Sequence, residues 1–154
     1  MRTKWRPPLW FDKPVGRILF LRALTEVPAT HQVKSTAHPG GFSVSLTLEP
    51  LGVPSHHVTI TFSRGAPTDP KVAVDGSTDS PHRYSDATLC MWYPTDPPER
   101  RWNLSDGAGA LVANIAAHLI REEWYRNTGE WLGDEVRHGA RDPENDPDSS
   151  ETVA

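Results

Sequence analysis

The sequence has only one cysteine among its 154 residues, so no disulfide can form within the chain. It has no apolar run of membrane length, no secretory leader and no phosphate loop of the G-x-x-x-x-G-K type. The formal net charge is −4 and no basic stripe is present, so nucleic-acid binding is not expected. Together these absences predict a cytoplasmic protein that does not cross a membrane and does not activate a substrate with ATP by itself.

The histidines show no metal-ligand spacing. His56 and His57 are adjacent on a predicted strand, so their side chains should point to opposite faces of the sheet. Four more histidines lie far apart along the chain, at His31, His38, His118 and His138. The sequence therefore predicts no metal and no cofactor.

Proline and tryptophan crowd the first 14 residues, which are too often broken by proline to form a helix. We expect residues 1–14 to be an extended arm whose aromatic side chains pack on the body of the protein. The apolar run that follows, residues 15–26, fits a short helix or a buried strand equally well. We favour a helix that ends before Pro28.

Strict alternation of apolar and polar residues begins near Gln32. It is clearest in residues 42–48, in residues 58–62 and around Val72 and Val74, with short turn-rich connections between these stretches. Such a pattern predicts an antiparallel four-stranded meander with one face against a core.

A helical period follows, starting from Ser105 or Asp106 as the N-cap and ending near Asn127, before Gly129. Its apolar stripe comprises Leu111, Val112, Ile115, Leu119 and Ile120, and its polar side Asn114, His118, Arg121 and Glu122. The stripe needs a sheet to cover, which predicts an α+β fold in which this long helix covers one face of the meander. We expect one domain over residues 15–135 and an acidic, disordered tail over residues 136–154.

Cys90 and His82, eight residues apart, are the candidate chemical groups. A lone cysteine between Leu89 and Met91 is often a core residue. However, the polar run before Cys90 and the prolines after it favour a short extended segment between loops, from which the thiol reaches solvent. A thiol with a nearby imidazole suits covalent acyl transfer.

The order and spacing of these features resemble the ubiquitin-conjugating enzyme (UBC) fold. Ser-Pro-His at residues 80–82 lies where that family has its His-Pro-Asn motif, and Leu-Cys-Met at residues 89–91 matches its cysteine step. Asp-Pro-Lys-Val at residues 69–72 and Trp102 resemble the family's proline-containing strand and the tryptophan before its long helix. The resemblance spans roughly residues 42–120. It is stronger to divergent bacterial conjugating-enzyme-like proteins, which commonly have histidine in place of the asparagine.

This resemblance implies a function that the residues alone do not. Proteins of this kind occur in antiphage operons, including cyclic-oligonucleotide (CBASS) systems and bacterial ubiquitin-like pathways. Cys90 would carry a ubiquitin-like protein, or a similar C-terminus, as a thioester, and His82 would donate a hydrogen bond to the oxyanion. The implied partners are that carrier, a separate activating enzyme and an acceptor protein such as a cyclic-nucleotide synthase.

Three further residues are assigned supporting roles. Asp86 either positions an incoming lysine or simply stabilises a turn, Tyr84 lines the groove or packs, and Trp102 belongs to the core near the cysteine loop. Two alternatives to a transferase remain at this point: a catalytically silent binding module with the same fold, and a thiol hydrolase. The hydrolase is disfavoured because no histidine–carboxylate pair shows a suitable spacing.

Overall fold

The computed structural model describes residues 5–93 and 95–133. The tail predicted for residues 136–154, with His138, lies outside the described residues. Along the chain the helices and strands are α1 at Pro14–Thr25, β1 at Thr30–His38, β2 at Gly41–Leu48, β3 at His56–Ser63, β4 at Ala66–Val74 and α2 at Ala108–Thr128. Two short 3-10 helices, Pro98–Arg100 and Leu104–Asp106, precede α2.

The four strands form one antiparallel sheet in the order β1-β2-β3-β4, which confirms the predicted meander. The alternation in β2 and β3 decides which face is buried. Phe42 pairs with Phe62, and Val44 pairs with Ile60, and all four side chains are fully buried. The intervening serines and threonines lie on the other face, so the sheet has one dry face and one polar face.

Helix α2 covers the dry face, as its apolar stripe predicts. Leu111, Ile115 and Leu119 are buried in the same core as the sheet residues, although Ile120 is 37% exposed. The helix ends at Gly129, whose φ of 77° lies in the left-handed region that glycine adopts most easily. The fold is therefore α+β, as expected, and resembles the UBC fold.

The start of α2 differs from the prediction that Ser105 or Asp106 is its N-cap. Helix α2 begins at Ala108, and Gly107 is its N-cap, with no side-chain cap. Asp106 instead belongs to the preceding 3-10 helix, where its carboxylate accepts from the backbone N–H of Asn103 at 2.8 Å in a capping box. The local capping box stabilises a separate turn, so the prediction of the N-cap was wrong.

Two residues on the polar side of α2 are buried. His118 and Glu122 are buried, with exposures of 2% and 0%, rather than facing solvent. The loop that leads to Cys90 packs on this side of the helix, and Arg83 from that loop supplies a countercharge for Glu122. A buried carboxylate is tolerated only when it is paired in this way.

The amino-terminal segment packs on the body through part of its aromatic content. Phe11 is 2% exposed, and the Trp10 ring lies 5.0 Å from that of Phe62 and 5.1 Å from that of Phe20. Trp5, by contrast, is 84% exposed, so the expectation that it packs on the body is wrong. Among residues 5–93 and 95–133, no helix is both long and apolar enough to span a membrane.

Candidate active site around Cys90

Backbone hydrogen bonds fix the segment that carries Cys90. The N–H of Leu89 donates to the carbonyl of Val72 at 2.9 Å, which places the segment beside β4. The N–H of Cys90 donates to the carbonyl of His82 at 3.0 Å, so the two predicted site residues are adjacent although eight positions separate them. Residues 82–90 thus form a closed loop, with an isolated bridge between Arg83 and Leu89.

Arg83 fastens this loop to α2 from inside. Its Nη2 and Nε donate to the two carboxylate oxygens of Glu122 at 2.8 and 2.9 Å, and its Nη1 donates to the carbonyl of Ala87 at 2.9 Å. Ala87 has a φ of 67°, a conformation that a residue other than glycine adopts only when its surroundings hold it. Because the Arg83 and Glu122 side chains are 6% and 0% exposed, water does not weaken this bidentate pair.

Two imidazoles lie between the loop and the end of α2. Burial, together with the positive charge of Arg83, lowers the pKa of His118 to about 3, so its ring is neutral near pH 7. The Trp131 ring lies 4.2 Å from that of His82 and 5.2 Å from that of His118. Trp131 therefore packs against both rings.

Cys90 does not reach solvent, contrary to the prediction from its polar neighbours. It is 2% exposed, and its thiol donates to the carbonyl of Trp92 at 3.8 Å. Burial raises the pKa of the thiol to about 11, and Asp69 and Asp96 act in the same direction. The sulfur is thus a protonated thiol at neutral pH and is shielded from solvent.

A groove of about 280 Å³ is lined by Leu89 and Met91, the two neighbours of Cys90 in the sequence, but not by Cys90. Tyr84 lines this groove, and its hydroxyl donates to the Trp92 carbonyl at 2.9 Å, the same oxygen that accepts from the thiol. The Trp92 indole donates in turn to Asp69 at 3.3 Å. Tyr84 and Trp92 therefore separate the groove from the sulfur.

Asp86 also lines the groove, and it stabilises a turn there. Its carboxylate accepts from Lys71 at 2.8 Å and from the backbone N–H and hydroxyl of Thr88 at 3.0 and 2.6 Å. These bonds, led by that from Lys71, hold the pKa of Asp86 well below its usual range. The carboxylate is therefore ionised and already paired.

Trp102 lies in the core beneath the start of α2. It is 3% exposed, it packs with Phe20 and Phe62, and its indole donates to the carbonyl of Gly107 at 2.7 Å. Its role is to join α2 to the core, which agrees with the core position expected from the sequence.

The buried thiol has a measurable consequence. We expect iodoacetamide to modify Cys90 far more slowly in the folded protein than in urea, with a rate that rises with pH toward about 11, because only about 0.1% of the thiol is ionised at pH 8. Tyr84→Ala should accelerate the reaction at least tenfold by opening the wall, and Tyr125→Ala on α2 should not. Modification of the folded protein at the rate of a free thiol would contradict the structure.

The fold and the site define a protein of the ubiquitin-conjugating (E2-like) class: a four-stranded meander, a loop with one cysteine held to a motif histidine, and a long covering helix. The model of the family described as Type II CBASS E2 protein matches residues 21–139, so the chain belongs to that family. This membership supports an E2-like role in CBASS defence. Comparisons with curated proteins and with solved structures gave no match.

Sequence reasoning did not predict that Arg83, Glu122 and Trp131 take part in this site. Their contacts join positions far apart in the chain: Arg83 and Glu122 are 39 residues apart. One available signal was the spacing of His118, Glu122 and Arg126 at intervals of four, which places all three on one stripe of α2. An arginine in the cysteine loop then offers a partner for a carboxylate on that stripe.

Proposed function

We propose that the protein is a ubiquitin-conjugating-like transferase in CBASS defence. Cys90 would accept the C-terminal acyl group of a ubiquitin-like carrier, or of another conjugated protein, and pass it to an amine. The observation that carries this proposal is the 3.0 Å hydrogen bond from the Cys90 N–H to the His82 carbonyl, in a chain of the E2 family. It keeps the motif histidine next to the only cysteine.

The chemistry proceeds in two acyl transfers. The Cys90 sulfur loses its proton and attacks the activated carbonyl, the leaving group of the activating enzyme departs, and a thioester forms. An acceptor amine then attacks the thioester carbonyl, the thiol is regenerated, and an amide results. Each transfer passes through an oxyanion, for which a positioned donor is typically worth about 10²–10³ in rate.

Loading requires a rearrangement, because the sulfur is 2% exposed in the structure. The cover includes these interactions: the Tyr84 hydroxyl and the thiol share the Trp92 carbonyl, and the Trp92 indole is held by Asp69 at 3.3 Å. We infer that the acyl donor, entering the groove lined by Tyr84, displaces this cover. The thiol then leaves the apolar surroundings that raise its pKa, which favours the nucleophilic thiolate.

The test is to incubate the protein with its candidate carrier, ATP and the activating enzyme, and to analyse the products by non-reducing electrophoresis and mass spectrometry. We expect an adduct that dithiothreitol removes and that maps to Cys90. The absence of such an adduct with every candidate carrier tested would contradict the transferase proposal.

His82 should contribute to transfer through its ring. We expect His82→Ala to slow discharge of the thioester to an amine tenfold or more, whereas His82→Asn retains most of the rate, because an amide also donates N–H. Single-turnover discharge of preformed thioester measures this step separately from loading. Equal rates for both variants would reduce His82 to a residue that only braces the loop.

A second candidate is a catalytically silent E2-like module that binds a partner or a carrier. The burial of Cys90, with the raised pKa of its thiol, favours this alternative. It predicts that Cys90→Ala leaves both partner binding and phage protection intact. The transferase predicts that partner binding survives this substitution and that protection is lost.

A further inference from the structure

A second pocket, of about 140 Å³, lies between α2 and the chain just after Cys90. Met91 and Trp92, the next two residues, line one side of it. Since consecutive Cα atoms are 3.8 Å apart, the pocket wall starts within about 8 Å of the cysteine Cα. A polypeptide attached to Cys90 would therefore reach the pocket with its last few residues.

The opposite wall comes from one stripe of α2. Asn114, His118 and Arg121 line the pocket from this helix, at spacings of four and three residues that place them on the same face. Arg100, from the 3-10 helix Pro98–Arg100, also lines it. The pocket thus brings together two guanidinium groups, a side-chain amide and an imidazole.

The charges of this pocket are unbalanced. Within the described parts of the chain no carboxylate lines it, and neither Arg100 nor Arg121 makes a hydrogen bond or an ion pair there. By contrast, Arg83 and Arg126 are both bound to Glu122. Two guanidinium groups without a partner among the described residues, at a small pocket, favour an oxyanion, which they can bind in a bidentate manner.

His118 adds to the pocket a polar atom that a peptide group can bind. Its Nε2 is buried and has no hydrogen-bond partner among the described residues, lying 4.0 Å from the nearest oxygen of Glu122. In a neutral imidazole one nitrogen donates and the other accepts. A polypeptide whose acidic side chain binds the arginines also offers Nε2 a peptide N–H or carbonyl. Its acyl end can reach Cys90, because Met91 and Trp92, which directly follow Cys90, line the pocket.

We propose that this pocket, with Arg100 and Arg121, binds the acidic side chain of a residue close to the C-terminus of the acyl-donor polypeptide. It gives the transferase a preference for donors with Asp or Glu near the acyl group. The inference rests on the proposed function for the identity of the ligand, but the binding itself does not require a thioester.

Binding is tested on the free protein, labelled with ¹⁵N, by following the arginine Nε–H signals during titration with N-acetylglutamate N-methylamide. We expect saturable shifts at Arg100 and Arg121, no shifts with the matched N-acetylglutamine N-methylamide, and at least tenfold weaker binding in Arg121→Gln. Arg22→Gln, an exposed arginine on α1, is the control and should bind normally. No response to the glutamate compound, or tighter binding of inorganic phosphate, would overturn the proposal.

Transfer assays separate this proposal from the proposed function. Arg121→Gln should raise the donor concentration needed for half-maximal loading about tenfold and leave the maximal rate unchanged, with an unaltered melting temperature. If the glutamate compound binds but Cys90 never forms an adduct, the proposed transferase function is wrong and the proposed binding pocket is supported. If loading proceeds and is indifferent to Arg100 and Arg121, the pocket proposal fails alone.

Discussion

Cys90→Ser is expected to abolish the adduct that dithiothreitol removes, because the chain has no second thiol that could replace it. The serine hydroxyl can still accept an acyl group slowly, and the resulting oxygen ester resists the reductant. A reductant-resistant adduct in Cys90→Ser, together with no adduct in Cys90→Ala, would identify the atom that carries the acyl group. The readout is electrophoresis with and without dithiothreitol, followed by mass spectrometry.

The control is Ser35→Ala, an exposed position on the edge strand β1 that leaves the thiol and the residues lining both pockets in place. This variant should load as the unmodified protein does. Because Cys90 is buried, melting curves of all variants must be compared before loading is interpreted. A reductant-sensitive adduct that persists in a folded Cys90→Ala protein would show that the sulfur of this residue is not the acceptor.

Glu122→Gln is expected to cause the largest loss of stability, about 3–5 kcal/mol in the free energy of unfolding. The amide cannot neutralise Arg83, whose side chain is only 6% exposed, and it leaves that guanidinium buried without a countercharge. At typical values for a chain of this size, the loss corresponds to a melting temperature lower by roughly 6–20 °C. Urea unfolding followed by circular dichroism measures it.

Glu123→Gln is the neighbouring control. Its carboxylate lies 3.7 Å from Arg126 and its side chain is 35% exposed, so this substitution should cost less than about 1 kcal/mol. Joint replacement by Arg83→Met and Glu122→Leu should recover part of the stability, because no unpaired charge then remains buried. Equal losses in Glu122→Gln and Glu123→Gln would mean that the buried pair does not hold the cysteine loop to α2.

The sheet and the long helix could be predicted from the sequence because each has a period that burial imposes. The alternation around Val44 and Ile60 marks the buried face of the sheet, and the stripe through Leu111 and Ile115 marks the buried face of the helix. Each pattern involves residues close together in the sequence, so it can be recognised without knowing the tertiary contacts. The end of α2 at Gly129 was likewise visible, since it depends on the conformation of a single residue.

The environment of Cys90 could not be predicted in this way. Its polar neighbours in the sequence suggested an exposed thiol, but Tyr84 and the carbonyl of Trp92 cover it. These contacts leave no periodic pattern in the sequence. Glu122 was assigned to the polar side of α2, and nothing in its local pattern showed that it would be buried. Whether a charge on a helix is exposed depends on what packs there, and the partner here, Arg83, comes from a distant loop.

The left-handed turn at Gly129 reverses the chain so that Trp131 rests on the rings of His82 and His118. The indole of Trp131 thereby contacts a ring from α2 and a ring from the cysteine loop. A protein that grasps this end of the helix and lifts Trp131 would expose the motif histidine without entering the groove beside Cys90. Trp131 thus links the end of α2, through His82, to the backbone of Cys90.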